Sequence, residues 1–384
     1  MAKRIKLLVL MTFDVGLKTW SEQGILDREL ATYRELVKKG IDVTFLTFGG
    51  VEDKSLSRRI PEIKFVPVYA NLRRPESLSL RFLQSLIFPW IFRAEFRAAS
   101  ILKTNQLYGG WVLVIARLLF RKPLVVRCGY DFVSAARDTG ASAYRLLLMK
   151  LLSKFILYSA TYTILSSARL TNHVRSEYRL GKKGNSVIGN SVNLNLFSPS
   201  REIKNGRVLF VGRLEKIKRL ELLIDAVDSA QVGCDLVGDG RERTTLERYA
   251  RGKGVDCRFF GYVKNEDLPS LFNRCAVFVL ISKSEWLPKS LIEAMACGCI
   301  VIGSKTSGIE DLIIDRKTGL LVESDATELS KLIKRVTSNP DRYAELGENA
   351  RLYVEQEFDL ELLAGREFKV HQNLGASNEY KDYS

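Results

Sequence analysis

Arg207-Val-Leu-Phe-Val-Gly-Arg-Leu-Glu-Lys-Ile-Lys218 passes from an apolar run into a glycine and then into a basic turn. The consecutive apolar residues Val208 to Val211 suit a strand buried on both faces, as parallel sheets require. Gly212 lets a ligand approach the backbone closely, and Arg213 and Lys218 stand at the mouth of the helix expected next. Outward from this stretch, short β-rich runs alternate with longer helical ones, the signature of α/β architecture with parallel sheets. In the first half Ile5–Met11, Asp42–Thr47, Ile63–Val66, Pro123–Arg127 and Tyr162–Leu165 read as strands, and Gln23–Lys39 and Ala141–Ser159 as helices. The polar turn residues of Asn190–Ser200 read as a hinge. The alternation then restarts with Arg207–Val211, Gln231–Val237, Asp256–Phe260, Ala276–Leu280 and Cys299–Gly303 as strands, and helices beginning near Lys218, Gly240, Asn265 and Pro288. Residues 324–372 look helical throughout, and the tail after Gly375 polar and loose. The expected organisation is a first domain over 1–195, a second over 196–355, and a C-terminal helix with a polar tail over 356–384 that packs back on the first. Two doubly wound domains facing across a cleft place ligands at the carboxyl ends of their strands.

The chain has 384 residues, with 59 Lys and Arg against 44 Asp and Glu, a formal net charge of +15. That length predicts two domains of similar size. The hydrophobic share of 46% excludes a disordered chain. No apolar run reaches the roughly 18 residues of a spanning helix, so a soluble or membrane-peripheral protein is expected, and its unpaired cysteines suit the cytoplasm. The charge is one-sided: residues 1–200 hold 31 Lys and Arg against 14 Asp and Glu, and residues 201–384 hold 28 against 30. One basic half suits an anionic partner held by that half, and argues against nucleic acid. Six scattered cysteines and two histidines give no metal-ligand spacing, so no metal is expected and the cysteines read as reduced core thiols.

Arg213 and Lys218 could neutralise a diphosphate, Arg by planar two-point contact and Lys as a point charge. The competing reading is a basic turn in water. A second constellation is Ser284-Glu-Trp-Leu-Pro-Lys-Ser-Leu-Ile-Glu-Ala-Met-Ala-Cys-Gly298. Pro288 suits the first turn of a helix and Gly298 its end, so Glu285 precedes the helix and Glu293 lies within it. The N–H groups at that helix start favour a phosphate, while the two carboxylates suit sugar hydroxyls on either side. A capping glutamate plus a surface glutamate is the alternative.

Taken together, these pieces resemble the donor-binding domain of glycosyltransferase family 4, retaining sugar-nucleotide-dependent enzymes of GT-B architecture. The matching segments are Val211-Gly-Arg213 with Lys218, Leu236-Val-Gly-Asp-Gly240, Phe260-Gly261, Glu285 through Gly298 with its two glutamates, Val301-Ile302, and Ser307-Gly-Ile-Glu-Asp311 leading to Thr318-Gly-Leu-Leu-Val322. They cover nearly all of residues 186–372. The resemblance implies that Arg213 and Lys218 hold the diphosphate, Glu293 the ribose hydroxyls and Glu285 the transferred sugar, with Gly212, Leu287, Pro288, Lys289 and Ser290 completing the donor site. It implies catalytic roles for Arg213, Lys218 and Glu285, and a UDP- or GDP-sugar as co-substrate with no other cofactor. The hinge resembles the family's Pro-Asn-Gly-Val-Asp segment through Asn190. The first half matches more loosely: Gly16 is its candidate for the donor phosphate, and the family's Gly-Gly is absent there. Trp286 stands where the family has glycine, which narrows the sugar pocket or impairs turnover. Arg127 and Tyr130, at the end of a first-domain strand, are candidates for acceptor or sugar contacts, with an Arg127–Asp131 surface ion pair as the alternative.

The reaction implied is hexosyl transfer to a lipid-linked or glycan acceptor in cell-surface polysaccharide or glycolipid synthesis. A catalytically impaired scaffold that binds nucleotide sugar or a membrane surface is the rival. His173 reads as an ordinary helix residue, and no other histidine is expected in the first domain. Arg73–Lys103 carries Arg73, Arg74, Arg81, Arg93, Arg97 and Lys103 against Glu76 and Glu95, interleaved with aromatic and aliphatic residues and interrupted at Pro89. Tyr144–Tyr158 is a second apolar segment with Arg145, Lys150 and Lys154. Both suit an anionic bilayer interface, or else are core helices with a basic outer face.

Overall fold

The computed structural model describes residues 4–138, 140–178, 184–200, 202 and 204–379. The chain forms two compact units, one running to Gly189 and resuming at Glu361, the other spanning Asn190–Leu360.

The first unit is a parallel sheet of β1 (Lys6–Leu10), β2 (Asp42–Thr47), β3 (Lys64–Pro67), β4 (Ile101–Thr104), β5 (Leu124–Cys128), β6 (Tyr162–Leu165) and β7 (Asn185–Val187), in the order β3-β2-β1-β4-β5-β6-β7. Its helices are α1 (Leu17–Glu22), α2 (Leu26–Lys38), α3 (Val51–Ser57), α4 (Leu78–Ser85), α5 (Phe88–Ile91), α6 (Arg93–Ala98), α7 (Trp111–Phe120), α8 (Phe132–Asp138), α9 (Ala143–Ser159) and α10 (Ala168–Tyr178). Apolar side chains from the sheet, among them Val9, Phe45, Ile101, Val125 and Ile164, form its core with Leu30, Tyr33 and Leu36 of α2.

The second unit has a parallel sheet of β8 (Val208–Val211), β9 (Cys234–Val237), β10 (Cys257–Gly261), β11 (Val277–Leu280), β12 (Val301–Ser304) and β13 (Leu320–Val322), ordered β10-β9-β8-β11-β12-β13. Its helices are α11 (Leu220–Ala230), α12 (Arg243–Lys253), α13 (Leu268–Arg274), α14 (Lys289–Ala296), α15 (Ala326–Ser338) and α16 (Ala344–Glu357), and α17 (Leu360–Glu379) returns to the first unit. At the strand starts Arg207 donates to Asp235 at 2.6 Å and also pairs with Asp256, tying β8 to β9 and to the lead-in of β10.

In each sheet the winding reverses, between β1 and β4 in the first and between β8 and β11 in the second, and at each reversal the loops beyond the carboxyl ends of the two strands diverge to leave a crevice of the kind where such folds bind ligands.

Several elements depart from the sequence reading. Strand β4 lies inside the stretch read as an interfacial segment, and its Lys103 is only 1% exposed, which removes that cation from any surface. Gln23 and Gly24 close α1 through bonds to the Thr19 and Ser21 carbonyls, so the helix expected from Gln23 begins at Leu26. The helical region is broken at Asn339–Tyr343 and at Phe358–Asp359, where Val192 and Asp359 bridge. Of the tail expected to be loose after Gly375, residues 376–379 instead continue α17, and the remainder lies outside the described residues. The cysteines of the described residues are free, and burial pushes the Cys128 and Cys297 thiols up to about 12.

Candidate functional site

The loops after β8 and β11 meet at the second unit's winding reversal. The backbone N–H of Lys283 donates to the Ile217 carbonyl at 2.7 Å, stitching one loop to the other. Lys218 pairs directly with Glu285, and both side chains are mostly buried. Ser282, at the end of β11, donates to the same Glu285 oxygen at 2.7 Å. Thus Glu285 is held from two sides, by a cation from the β8 loop and by a hydroxyl of its own loop. Arg213 turns to Glu215 at 2.8 Å and is 70% exposed, free to swing at little energetic cost.

Pro288 precedes α14, which places Lys289 and Ser290 in its first turn and Glu293 on its buried side. Glu293 is 3% exposed and accepts from Asn265 Nδ2 at 3.2 Å. Leu287 and Pro288 are buried, and the Leu287 carbonyl accepts from Asn190 Nδ2 at 2.7 Å, so Asn190 fixes the loop ahead of the helix. Trp286 is half-buried. A side chain at Gly308 (φ +83°) would meet the Glu285 carbonyl oxygen at 2.4 Å and that of Trp286 at 2.7 Å, so the glycine permits this close approach. Gly238 (φ +125°) lies against Gly212, whose carbonyl oxygen would be 2.0 Å from an added Cβ. The absent side chain that permits this approach is Gly238's; a Cβ on Gly212 itself would meet the Phe210 ring at 3.0 Å.

The structure thus gathers Gly212, Arg213, Lys218, Glu285, Leu287, Pro288, Lys289, Ser290, Glu293 and Asn190 on one unit. Ser282, Asn265, Ser304 and Thr306 are not among the site residues read from the sequence, where Asn265 marks only a helix start. Ser304 and Thr306 both donate to the Ser282 carbonyl, at 2.9 and 3.2 Å. Their signal was weak, because a lone serine, threonine or asparagine near a strand end carries no spacing.

On the first unit, Gly16 caps α1, but the N–H groups of Leu17 and Lys18 donate to the Asp53 carboxylate at 2.8 and 2.9 Å, and Thr47 Oγ1 donates to it at 2.7 Å. An added Cβ at Gly16 would sit 2.7 Å from that carboxylate. A buried internal anion thus holds the start of α1 and accounts for the glycine. Arg127 does not pair with Asp131. Its guanidinium reaches Glu367 of α17 at 3.8 Å and the Gly189 carbonyl at 3.4 Å. Asp131 instead receives Ser134 Oγ at 2.6 Å and Tyr178 Oη at 2.6 Å, with His173 Nε2 at 3.2 Å. Burial pushes its carboxyl up, but these bonds together hold it below its ordinary value. Tyr130 stacks near Phe132, ring centroids 4.2 Å apart.

His173 is not the only histidine of the first unit. His371 of α17 is fully buried there, 3.2 Å from Glu367, which also pairs with Lys103 of β4. Burial alone would raise the Glu367 carboxyl, but Lys103, then His371 and Arg127, hold it well below the usual range. Burial pushes His371 down, and Glu367 only partly offsets that.

Residues 196–353 match the family described as glycosyl transferases group 1. An uncharacterized glycosyltransferase of Methanocaldococcus jannaschii is 27% identical over 49% of this chain and 53% of its own length. A GDP-mannose-dependent monoacylated alpha-(1-6)-phosphatidylinositol monomannoside mannosyltransferase of Corynebacterium glutamicum is 29% identical over 42% of this chain and 44% of its own. The chain spans about half the length of these curated relatives. Among solved structures, Anabaena HepE in complex with UDP and glucose aligns with a TM-score of 0.76 at 21% identity, covering 96% of this chain and all of that one. The fold is α/β of the GT-B class, two Rossmann-like units in one chain.

Proposed function

We propose that this protein is a retaining glycosyltransferase of family 4, moving a hexosyl group from a UDP- or GDP-sugar to a lipid-linked or glycan acceptor in cell-surface polysaccharide or glycolipid synthesis. The observation that carries the reading is the Lys218–Glu285 pair joining the two loops at the winding reversal, with Glu293 buried on the helix that starts beside them. The group 1 match over this unit and the glycosyltransferase relatives support it.

In this reading the diphosphate takes Lys218 and Arg213, aided by the N–H groups of Lys289 and Ser290. Glu293 accepts from ribose hydroxyls, while Glu285, released from Lys218 by the donor, accepts from hydroxyls of the sugar. The bond from the anomeric carbon to the diphosphate oxygen breaks as charge builds on that oxygen, and preorganised cations stabilise it most at that moment. The acceptor hydroxyl attacks from the same face and its proton passes to the departing oxygen. Cations of the chain thereby take the part a divalent metal plays elsewhere. Trp286 narrows the sugar pocket and limits which hexose enters. The basic first unit works on the cytoplasmic face of an anionic membrane, where a lipid-linked acceptor resides.

Thermal unfolding with a series of UDP- and GDP-sugars tests the donor reading. One of them raises the unfolding temperature, and Glu293→Ala reduces that rise. No shift with any sugar nucleotide, together with no hydrolysis or transfer, would sink it.

A further inference from the structure

Among the described residues 21 large apolar side chains are exposed, and 14 of them lie between Leu78 and Tyr158; the second unit has only Phe260, Tyr262, Ile314 and Leu352. The concentration is ordered. On α9, Tyr144, Leu147, Leu148, Leu151, Phe155 and Tyr158 recur at three- and four-residue steps along one outer stripe, 44–77% exposed. The inner side of the same helix buries Ser153, Ile156 and Leu157. Helix α9 is therefore apolar on two sides, although its fold covers only one. Across α4 and α5 a second exposed row runs through Leu80, Leu83, Ile87 and Trp90.

These rows belong to one layer. Helices α5 and α6 pack against α7, and α7 packs against α9. Phe82 meets Trp111 at 5.0 Å and Phe96 stacks on Phe120 at 5.9 Å, which fastens α4 and α6 to α7. The end of α7 adds exposed Leu118 and Leu119, followed by Arg121 and Lys122.

Charge selects the occupant. Helix α9 carries Arg145, Lys150 and Lys154 with no acidic residue of its own, Lys150 being paired with Glu177 of α10 at 2.6 Å, and no Asp or Glu lies between Trp111 and Tyr130. A second copy laid on this face would set cations against cations. An anionic bilayer meets both features, the apolar stripe entering the acyl boundary and the cations lying at headgroup phosphates. Trp90, Tyr144 and Tyr158 have the amphipathic rings that settle at that depth. No helix among the described residues is long and apolar enough to cross a membrane, so this contact is in-plane.

We propose that the outer face of α9, with the α4–α5 row and the end of α7, is an in-plane insertion surface for a bilayer of anionic lipid. This deepens the membrane part of the proposed function and stands apart from the donor chemistry.

Flotation of the full chain with vesicles of phosphatidylcholine alone, and of phosphatidylcholine with phosphatidylglycerol, tests it. The chain floats with the anionic vesicles, less so as salt rises. Removing two inserted leucines with Leu147→Ser and Leu151→Ser lowers partitioning at least about tenfold, and Arg145→Ser with Lys154→Ser lowers it by about tenfold or more, an effect that vanishes in high salt. Because all four side chains face solvent, each variant keeps the parent unfolding temperature and its response to sugar nucleotide. Absence of flotation with either vesicle, or equal partitioning of parent and leucine variant, overturns the proposal. So does a parent dimer that the leucine substitutions dissociate, which would assign the face to a second copy. Failure here with a retained sugar-nucleotide shift refutes the membrane surface alone; the converse refutes the donor reading alone.

Discussion

The two units share a doubly wound topology yet put their ionic clusters to different uses. In the second, Arg207, Asp235 and Asp256 tie adjacent strands at one end of the sheet, while Lys218 and Glu285 stand in loops at the other, reachable by a ligand. In the first, the tightest cluster is sealed in: Lys103, Glu367 and His371 are each at most 1% exposed and join the last helix to the middle of the sheet. Beyond its buried core, a further set of large apolar side chains goes the other way, onto the outer faces of α4, α5, α7 and α9. One unit thus keeps charge at the end of its sheet where folds of this class take ligands. The other uses charge as internal mortar and presents hydrocarbon outside.

The largest effect should separate the two kinds of cluster. Glu367→Ala leaves Lys103 buried without its carboxylate and should cost about 3–5 kcal/mol in urea unfolding. Asp256→Ala, at a site mostly open to water, should cost under about 1 kcal/mol. Equal losses would erase the contrast between sealed and open pairs. Next, Lys218→Ala should lower the proposed sugar transfer by about 10²–10³-fold, the scale for removing one group that stabilises a developing anion, and should cost less in unfolding than Glu367→Ala, because Ser282 still donates to Glu285. A variant that unfolds early but turns over normally would make Lys218 mortar as well.

Gly238→Ala should destabilise the second unit by about 1–3 kcal/mol, because an alanine there is strained at φ +125° and meets the Gly212 carbonyl. A neutral result in thermal unfolding would mean the two loops can separate.

The mildest effect concerns pH. The folded His371 has a depressed pKa, so as pH falls below about 6.5 the unfolded chain takes a proton that the folded chain refuses. Stability of the first unit therefore declines below that pH, by up to about 1.4 kcal/mol for each unit. A further decline sets in below the ordinary carboxylate value of 4.5, because Glu367 is also depressed and the unfolded carboxyl protonates first. His371→Gln should flatten the first limb and leave the second, measured by unfolding midpoints across pH. A flat parent profile between pH 7 and 5 would show that the buried imidazole does not titrate differently from a free one.

How much was legible in advance follows the same division. Strands Asp42–Thr47 and Tyr162–Leu165 were read to the residue, because an apolar run bounded by turn residues is a local signal. The positions of the second unit's candidate residues were also legible: Gly212, Arg213 and Lys218 follow β8, Glu285 through Glu293 follow β11, and chain order plus a reversal of winding brings the two stretches together. Strand β4 was missed because Lys103 sits in it, and a lysine in a four-residue run reads as surface. Its partner Glu367 lies 264 positions further on. Nothing in either segment alone announces the pair. The same holds for Gly16, whose reason is Asp53 on another helix, and for Asn265 and Ser282, which matter through the carboxylates they touch.

By itself the sequence determined the alternation of strands and helices, the one-sided distribution of charge and the residues of the second unit's switch-point loops. These depend on periodicity, composition and short spacings, all of which are local. Only the tertiary structure decided which cations are surface and which are core, that Glu367 and His371 of α17 are sealed against Lys103 of β4, and that two apolar segments share one outer layer. Those outcomes depend on burial, and burial is set by contacts between residues far apart in the chain.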